Sequence, residues 1–427
     1  MKYRAYFKLK LTLLSPLSIG SSNSESTDRD VILDSRGKPV IPATAIAGVF
    51  RSLCHTKKEK EELFGEIDKY EYDEKTQKNK KVADFHKTEL YFYDAELIET
   101  SSKSVRDSVA LNEYKSAEKG AKFDFEIIET GAVFIGYVET RTETAANEFR
   151  DLLQAKIYLG SKNTRGYGCV GIEYQEKIFN PEESDADKWL DFDMFCDLPW
   201  KDKSWKNPDK TDNFITIKLS LKQNGGLSIR QYSTEPNEAD SVPLVLHDGK
   251  KIENGTFEIT PTPVIPGTSW SGIFRSHMTK LLNFGKNGLN DIFGFVDENS
   301  KKSAKSKIRF SESQIKNAVR KQLTRNAIDR FTNGTKDGAL FTEVTVYNGT
   351  TEFEISLEKN ICDDIKSALT ATILDLHNGY VAVGGLTSVG RGLFEVIKIN
   401  EKEKAEKIDW TYETVKEAMF GAKQNRD

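Results

Sequence analysis

The sequence predicts an α+β fold made of two tandem ferredoxin-like or RRM-like sandwiches. Three observations carry that prediction. The stretch PVIPATAIAGVFRS at Pro39 to Ser52 returns almost intact as PVIPGTSWSGIFRS at Pro263 to Ser276. Further landmarks keep the same order in both halves: ELFG at Glu62 to Gly65 answers DIFG at Asp291 to Gly294, and NTRGYG at Asn163 to Gly168 answers SVGRG at Ser388 to Gly392. Each half also opens on an alternating apolar run, YRAYFKLKLTLL from Tyr3 and NFITIKLSLK from Asn213. Landmarks in one order, offset by roughly 210 to 230 residues, mark two whole domains and exclude a short-period solenoid.

The elements of each half follow in turn. Residues 3, 5, 7, 9, 11 and 13 alternate with mostly polar neighbours, as do Ile215, Ile217, Leu219 and Leu221, which is the period-two signature of a strand with one buried face. VILDSRGKPVI predicts two short strands about a turn at Asp34 to Gly37, and LVLHDGKKI predicts a hairpin turning at Asp248-Gly249. A helix comes next. Pro42 or Pro266 precedes a threonine, Thr44 or Thr268, suited to N-capping; Ile46, Val49, Phe50 and Leu53, or Trp270, Ile273, Phe274 and Leu281, then supply helical apolar spacing. Further strands and a late glycine-rich turn complete each half. The chain divides accordingly into a first domain at 1–178, an acidic tryptophan-containing linker at 179–213, a second domain at 214–400 and a helical tail at 401–427. Proline, acids and three tryptophans make the linker irregular but packed.

Composition limits the classes of function. At 427 residues and 37% hydrophobic the chain can bury two cores, and no apolar run approaches the roughly 20 residues of a membrane span. The N-terminus is an alternating strand and not a signal peptide, and four scattered cysteines lack the spacing of a zinc or disulfide framework, so a reducing cytoplasm is expected. The net charge of −4 argues against nucleic-acid binding through overall positive charge. Between Lys301 and Arg325, however, nine basic residues face one acid, Glu312. Such a patch can steer a polyanion, or it can be a solvated helix face.

These residues resemble the RAMP superfamily, specifically the backbone subunits of type III CRISPR effector complexes in their double-domain form. The resemblance rests on SPLSIGS at Ser15 to Ser21, the PVIPxT-helix-FRS element, the NTRGYG and SVGRG turns, and RNAIDRFTNGTKDGALFTEVTVYNGTTEF at Arg325 to Phe353. It implies two RAMP domains, each with a protruding β-hairpin thumb, lying along a guide crRNA beside other subunits of the complex. Base pairing to target RNA would then carry sequence recognition while the protein reads backbone shape.

Under that resemblance the RNA-binding candidates are Thr44, Arg51, Lys162, Arg165, Thr268, Arg275, Arg325, Arg330, Lys336 and Arg391. Thr44 and Thr268 stand at helix starts, where free N–H groups favour phosphate, although an ordinary N-cap is equally served. Arg51 and Arg275 can bind phosphate or form a structural salt bridge. Mid-helix Gly48 and Gly272 predict close backbone approach, by the neighbouring strand or by RNA. The two glycine-rich turns can cradle phosphate with their amides, and neither is a Walker A loop. Ile328, Phe331, Leu340, Phe341, Val344 and Val346 are expected in a thumb with an apolar tip, with Arg325, Arg330 and Lys336 meeting phosphate. In the first half the weaker thumb candidates are Arg106, Lys115, Lys119, Lys122, Phe123 and Phe125.

For catalysis the resemblance points to Asp28 in TDRDVILD, with Asp240 in EADSVPLV as its counterpart; Asp30 and Asp34 are alternatives. The second loop is about 12 residues longer between aspartate and PVIP, which loosens that alignment. RNA supplies its own 2′-hydroxyl nucleophile, and an ordinary carboxylate is a poor base at neutral pH, so metal-dependent cleavage is expected, with Asp28 and Asp240 positioning Mg2+ or Mn2+ or accepting a proton. A histidine nuclease built on His55 and His277 is disfavoured, because both fall at the far end of the helix. Rival readings are a catalytically inactive scaffold of the same fold and a duplicated metabolic enzyme with a small-molecule pocket.

Overall fold

The computed structural model describes residues 3–20, 26–65, 70–73, 78–81, 87–98, 102–111, 117–180, 186–208, 214–232, 239–251, 257–283, 288–297, 302–404 and 409–421. Two compact units are present: Met1–Arg106, Asp124–Ser161 and Gly168–Asp212 form the first, and Asp107–Phe123, Lys162–Tyr167 and Asn213–Asp427 the second.

In the first unit Arg4–Leu13 lies between Cys169–Phe179 and Val133–Thr140, and Ala95–Leu97 continues the sheet beyond the latter. Numbered by chain order, the four strands run 4-1-3-2 and all pair antiparallel, which is the ferredoxin-like arrangement expected from sequence. Alternation decides the faces. Ala5, Phe7, Leu9, Leu11 and Leu13 are buried against the helices Ala43–Leu53 and Glu143–Leu153, where the Phe149 ring centroid lies 5.0 Å from Phe7 and 5.1 Å from Phe50. The opposite face is covered by the chain's own 186–208 segment. Trp200 is only 2% exposed there, clustered with Tyr6, Phe179 and Met194. Trp189 Nε1 donates to the Tyr6 hydroxyl (2.9 Å), Trp200 Nε1 donates to the Met194 carbonyl (2.8 Å), and Lys8 pairs with Asp197 (2.6 Å). This burial pushes the Tyr137 phenol up to about 12.

The second unit repeats the plan. Phe214–Asn224 lies between Thr350–Glu358 and Leu393–Ile399, and Ile308–Phe310 and Ser313–Lys316 pair with the far side of Thr350–Glu358. The helices Gly267–Leu281 and Asp363–His377 close the core, with Trp270 stacked on Phe353 at 4.2 Å and 2°. Trp270, Phe274 and Met278 are the buried stripe, whereas Leu281 is exposed. The expected tail helix is Tyr412–Phe420; it buries Val415 and Met419, and Trp410 Nε1 donates to the Val396 carbonyl (3.0 Å).

Three sequence expectations change. Asp248-Gly249 is not a turn: Val245–Lys251 is one strand paired along its length with Phe257–Ile265, Gly249 opposite Ile259. The Lys301–Arg325 basic run is a series of strands and not a helix face. The helices begin at Ala43 and Gly267 with Pro42 and Pro266 as N-caps, so Thr44 and Thr268 sit inside the first turn and cap nothing. The Asp34 turn is as expected, its carboxylate accepting the Arg36 and Lys38 N–H groups.

Candidate functional site

A hairpin stands in each half of the repeat, just before the third sheet strand. In the first half it is formed by Lys103–Leu111 and Ala117–Ile128, and in the second by Val319–Arg325 and Phe341–Tyr347, with Arg325 opposite Phe341. The loop after each opening strand returns along this hairpin. Leu17 bridges Ile128, and Leu227 bridges Val346; Gly20 bridges Val31, and Arg230 bridges Pro243.

Those bridges fix where the loop aspartates lie. Asp28 stands three residues before Val31, and Asp240 three before Pro243. Asp28 Oδ2 accepts the backbone N–H of Asp124 (3.0 Å), four residues before Ile128. Asp240 Oδ2 accepts the backbone N–H of Thr342 (2.7 Å), four residues before Val346. The two aspartates therefore occupy one register position, and both are exposed. The extra residues of the second loop are taken up after the aspartate, in the Val245–Lys251 and Phe257–Ile265 pair. The alternatives are committed elsewhere: Asp30 accepts the Ser26 and Thr27 N–H groups, and Asp34 holds its turn.

The units differ beside the aspartate. Asp28 donates its own N–H to the Asp124 carboxylate (2.8 Å), so two carboxylates adjoin in the first unit, where the second has Thr342. No group of three metal-ligating side chains occurs among the described residues. One or two carboxylate oxygens still suit a hard cation that keeps most of its water and completes its shell with phosphate oxygens, the usual habit of Mg2+.

The glycine turns prove to be internally bonded. Ser161 and Gly385 donate N–H to the Ser18 and Ser228 carbonyls, and Gly168 and Gly392 to Pro16 and Gly226, all at 2.8 Å. Arg165, Gly390 and Arg391 amides are spent within their own turns. These amides are therefore engaged within the fold, and a phosphate cradle would have to draw on the others of each turn. Gly168 and Gly392 hold φ of 74° and 77°, and a Cβ on either would stand 1.9 Å from the Leu159 or Val383 carbonyl oxygen.

The cationic candidates separate into exposed and committed groups. Arg165, Arg330 and Lys336 are exposed. Lys162, in the second unit, lies 4.3 Å from the Phe123 ring. Arg51 Nη1 donates to the Gly65 carbonyl (3.0 Å) and Arg275 Nη2 to Asn290 (2.6 Å), so each arginine braces the second-helix ELFG or DIFG motif; burial pulls the Arg275 guanidinium below its usual range. Arg391 is buried and pairs with Glu343 at 2.5 Å, which places its charge inside the domain and not on a face open to RNA. Arg325 pairs with the same carboxylate. At the first helix start Asp94 accepts the Ala43 N–H (2.7 Å), so a carboxylate already fills the anion position read at Thr44.

Gly48 and Gly272 are exposed, with nothing within 4 Å of a built Cβ, so packing on the sheet is not the reason for either glycine. At the hairpin tip Phe331 is 96% exposed and held by Asp329, whose Oδ1 accepts the Phe331 and Thr332 N–H groups at 2.9 Å. Ile328 and Leu340 of the same 326–340 loop are also exposed, while Val346 is core. In the first half Arg106 and Phe125 are buried and so are not thumb contacts, and Lys115 lies outside the described residues. His277 pairs with Asp375 (2.7 Å), and His55 lies beyond the helix end.

Sequence reasoning missed Asp94, Asp124, Asp329 and Glu343. Only for Asp124 did a usable signal exist, its offset from the Leu17 partner matching that of Thr342 from the Leu227 partner, and that signal requires strand register.

Among the described residues no helix is long and apolar enough to cross a membrane. No curated protein sequence matches the chain. Among solved structures it resembles one described as the Type III-B Cmr-beta bound to cognate target RNA, at 17% identity and a TM-score of 0.32, covering 44% of this chain and 60% of that one. The family model described as the RAMP superfamily matches residues 10–171 and 243–395, one region in each half of the repeat. The chain belongs to the RAMP superfamily.

Proposed function

We propose that the chain is a double-domain backbone subunit of a type III CRISPR ribonucleoprotein. In this reading it binds guide crRNA beside other subunits and cuts complementary target RNA at two positions, one per unit. The observation that carries the reading is the shared register of Asp28 and Asp240, each exposed and each tied to the returning strand of a hairpin. Membership of the superfamily supplies the context.

Cleavage joins the 2′-oxygen of one nucleotide to its own phosphorus while the bond from phosphorus to the 5′-oxygen breaks, leaving a 2′,3′-cyclic phosphate and a 5′-hydroxyl. The 2′-hydroxyl proton must leave and the departing oxygen must gain one. A bound divalent cation would stabilise the charge growing on phosphate. Asp28, with Asp124 adjoining, and Asp240 are the groups that would hold it. Their pinned Oδ2 fixes the carboxylate and leaves Oδ1 to face RNA. Phe331, with Arg330 and Lys336 near it in sequence, is suited to stack on a base. Gly48 and Gly272 leave room for a backbone to approach the helices.

The second reading is a scaffold that binds crRNA without cutting, in which the carboxylate-to-amide bonds are structural staples. The two separate when Asp28→Ala and Asp240→Ala are each assembled with guide RNA and complementary RNA fragments are mapped with Mg2+ present. Loss of one specific cut per substitution supports the enzyme. An unchanged fragment pattern supports the scaffold.

A further inference from the structure

We infer that the backbone N–H four residues before the hairpin's bridge residue, at Asp124 in the first unit and Thr342 in the second, is the positioning group for the loop carboxylate, so that the hairpin orients the cutting group directly. The inference rests on reading Asp28 and Asp240 as cleavage groups, and it names what aims them.

The argument comes from what the two units share and what they do not. The donor side chains differ: an aspartate in one, a threonine in the other. The donor amide, its place in the register and the oxygen that receives it are the same, at 3.0 and 2.7 Å. The loops around the aspartates differ too. In the first unit Asp30 pins Thr27 and Ser26, and Asp28 returns a hydrogen bond to Asp124; the second loop runs straight into the Ser241–Pro243 strand. What survives these differences is one main-chain donor on the hairpin. A main-chain amide within a paired strand cannot rotate away as a side chain can, so it fixes the carboxylate plane with little loss of freedom on RNA binding. Charge-assisted bonds of this kind are also the stronger ones.

In the second hairpin Phe331 is exposed in the loop, and the Thr342 amide that holds Asp240 lies one pair from the loop end of the ladder, where Arg325 faces Phe341. Movement of the strand would shift both together, so a duplex that seats the tip also sets the carboxylate.

The test removes the N–H without touching a side chain. Thr342 is replaced by its α-hydroxy counterpart, turning that amide into an ester, and separately Asp124 is replaced in the same way. Each protein is assembled with guide RNA, and kcat and KM are measured at both cuts with labelled complementary RNA. The ester at 342 is expected to lower kcat about tenfold or more at the cut lost in Asp240→Ala, with KM and the other cut unchanged; about tenfold corresponds to a modest share of a charge-assisted bond. The ester at 124 should do the same only at the cut lost in Asp28→Ala. The unaffected cut reports correct assembly within each protein. An ester variant cutting at the normal rate where Asp240→Ala does not cut overturns the positioning role and leaves the cleavage reading intact. A fall at both cuts, or in KM alone, also overturns it. If Asp240→Ala cuts normally, the cleavage reading itself fails.

Discussion

Four glycines in two equivalent pairs give opposite predictions for one chemical change. Replacing Gly48 or Gly272 by Ala adds a methyl group in mid-helix where nothing lies within 4 Å. Helix propensity then acts alone, and each substitution should stabilise its unit by about 0.5–1 kcal/mol, a rise of about 1–4 °C in Tm for a unit of this size. At Gly168 or Gly392 the added Cβ meets a carbonyl oxygen at 1.9 Å on a backbone with φ of 74° or 77°. Left-handed geometry costs about 1–2 kcal/mol for a residue with a Cβ. Relieving the overlap would also disturb two hydrogen bonds at each glycine, Leu159 N–H to Gly168 and Gly168 N–H to Pro16 in the first turn, at about 1 kcal/mol apiece. The expected loss is therefore about 3 kcal/mol or more. Urea unfolding followed by tryptophan fluorescence, with Trp200 reporting on the first unit and Trp270 on the second, measures all four. A destabilising Gly48→Ala or Gly272→Ala, or a neutral Gly168→Ala, would refute the reasoning. The same proteins test function: the Gly48→Ala/Gly272→Ala double substitution should weaken guide-RNA binding while raising Tm, and unchanged affinity would remove the helix faces from the RNA path.

Three other outcomes are expected. Glu343→Leu leaves the buried Arg391 guanidinium without its carboxylate and should cost about 3 kcal/mol in urea unfolding, with much of the loss recovered in Glu343→Leu/Arg391→Met. Phe331→Ala should leave Tm unchanged, because the ring is almost wholly exposed, and should reduce affinity for guide-paired RNA. Asp409 is held at about 2, first by the hydrogen bond from His377 and then by Lys404. A depressed carboxylate contributes stability above its ordinary value of 3.8 and loses it as pH falls towards about 2. Because the side chain is largely exposed, solvent screens the effect and the slope should be shallow; Asp409→Asn should flatten the unfolding midpoint across that window.

The duplication and its strand order were legible because alternation at Phe7, Leu9 and Leu11 and the repeated PVIP helix are local, periodic signals. The Asp34 turn was legible for the same reason. Asp248-Gly249 misled because a turn propensity of four residues yields to a strand pairing that runs from Val245 to Lys251. Thr44 looked like a cap because the acid that actually meets the first helix amide, Asp94, comes from the connection between two strands about fifty residues away. Arg391, read alongside Arg165 as an RNA contact, stands in register with Tyr167 and is buried inside the domain. Asp240 could be located in sequence only loosely, since the insertion beside it obscured spacing; hydrogen-bond register, a property of two strands together, restored the match.

The 186–208 segment has a practical consequence for dissecting the molecule. Composition marks it as a connector, yet Trp200, Met194 and Phe192 form the lid of the first sheet, and Gln175 donates to the Lys203 carbonyl at 2.6 Å. A fragment ending at 178 would uncover Tyr6 and Tyr137 and lose Phe179, presenting a bare aromatic surface that favours aggregation. A fragment ending at 208 keeps that surface sealed. Cutting points chosen from the repeat boundary would thus discard part of the domain they were meant to isolate.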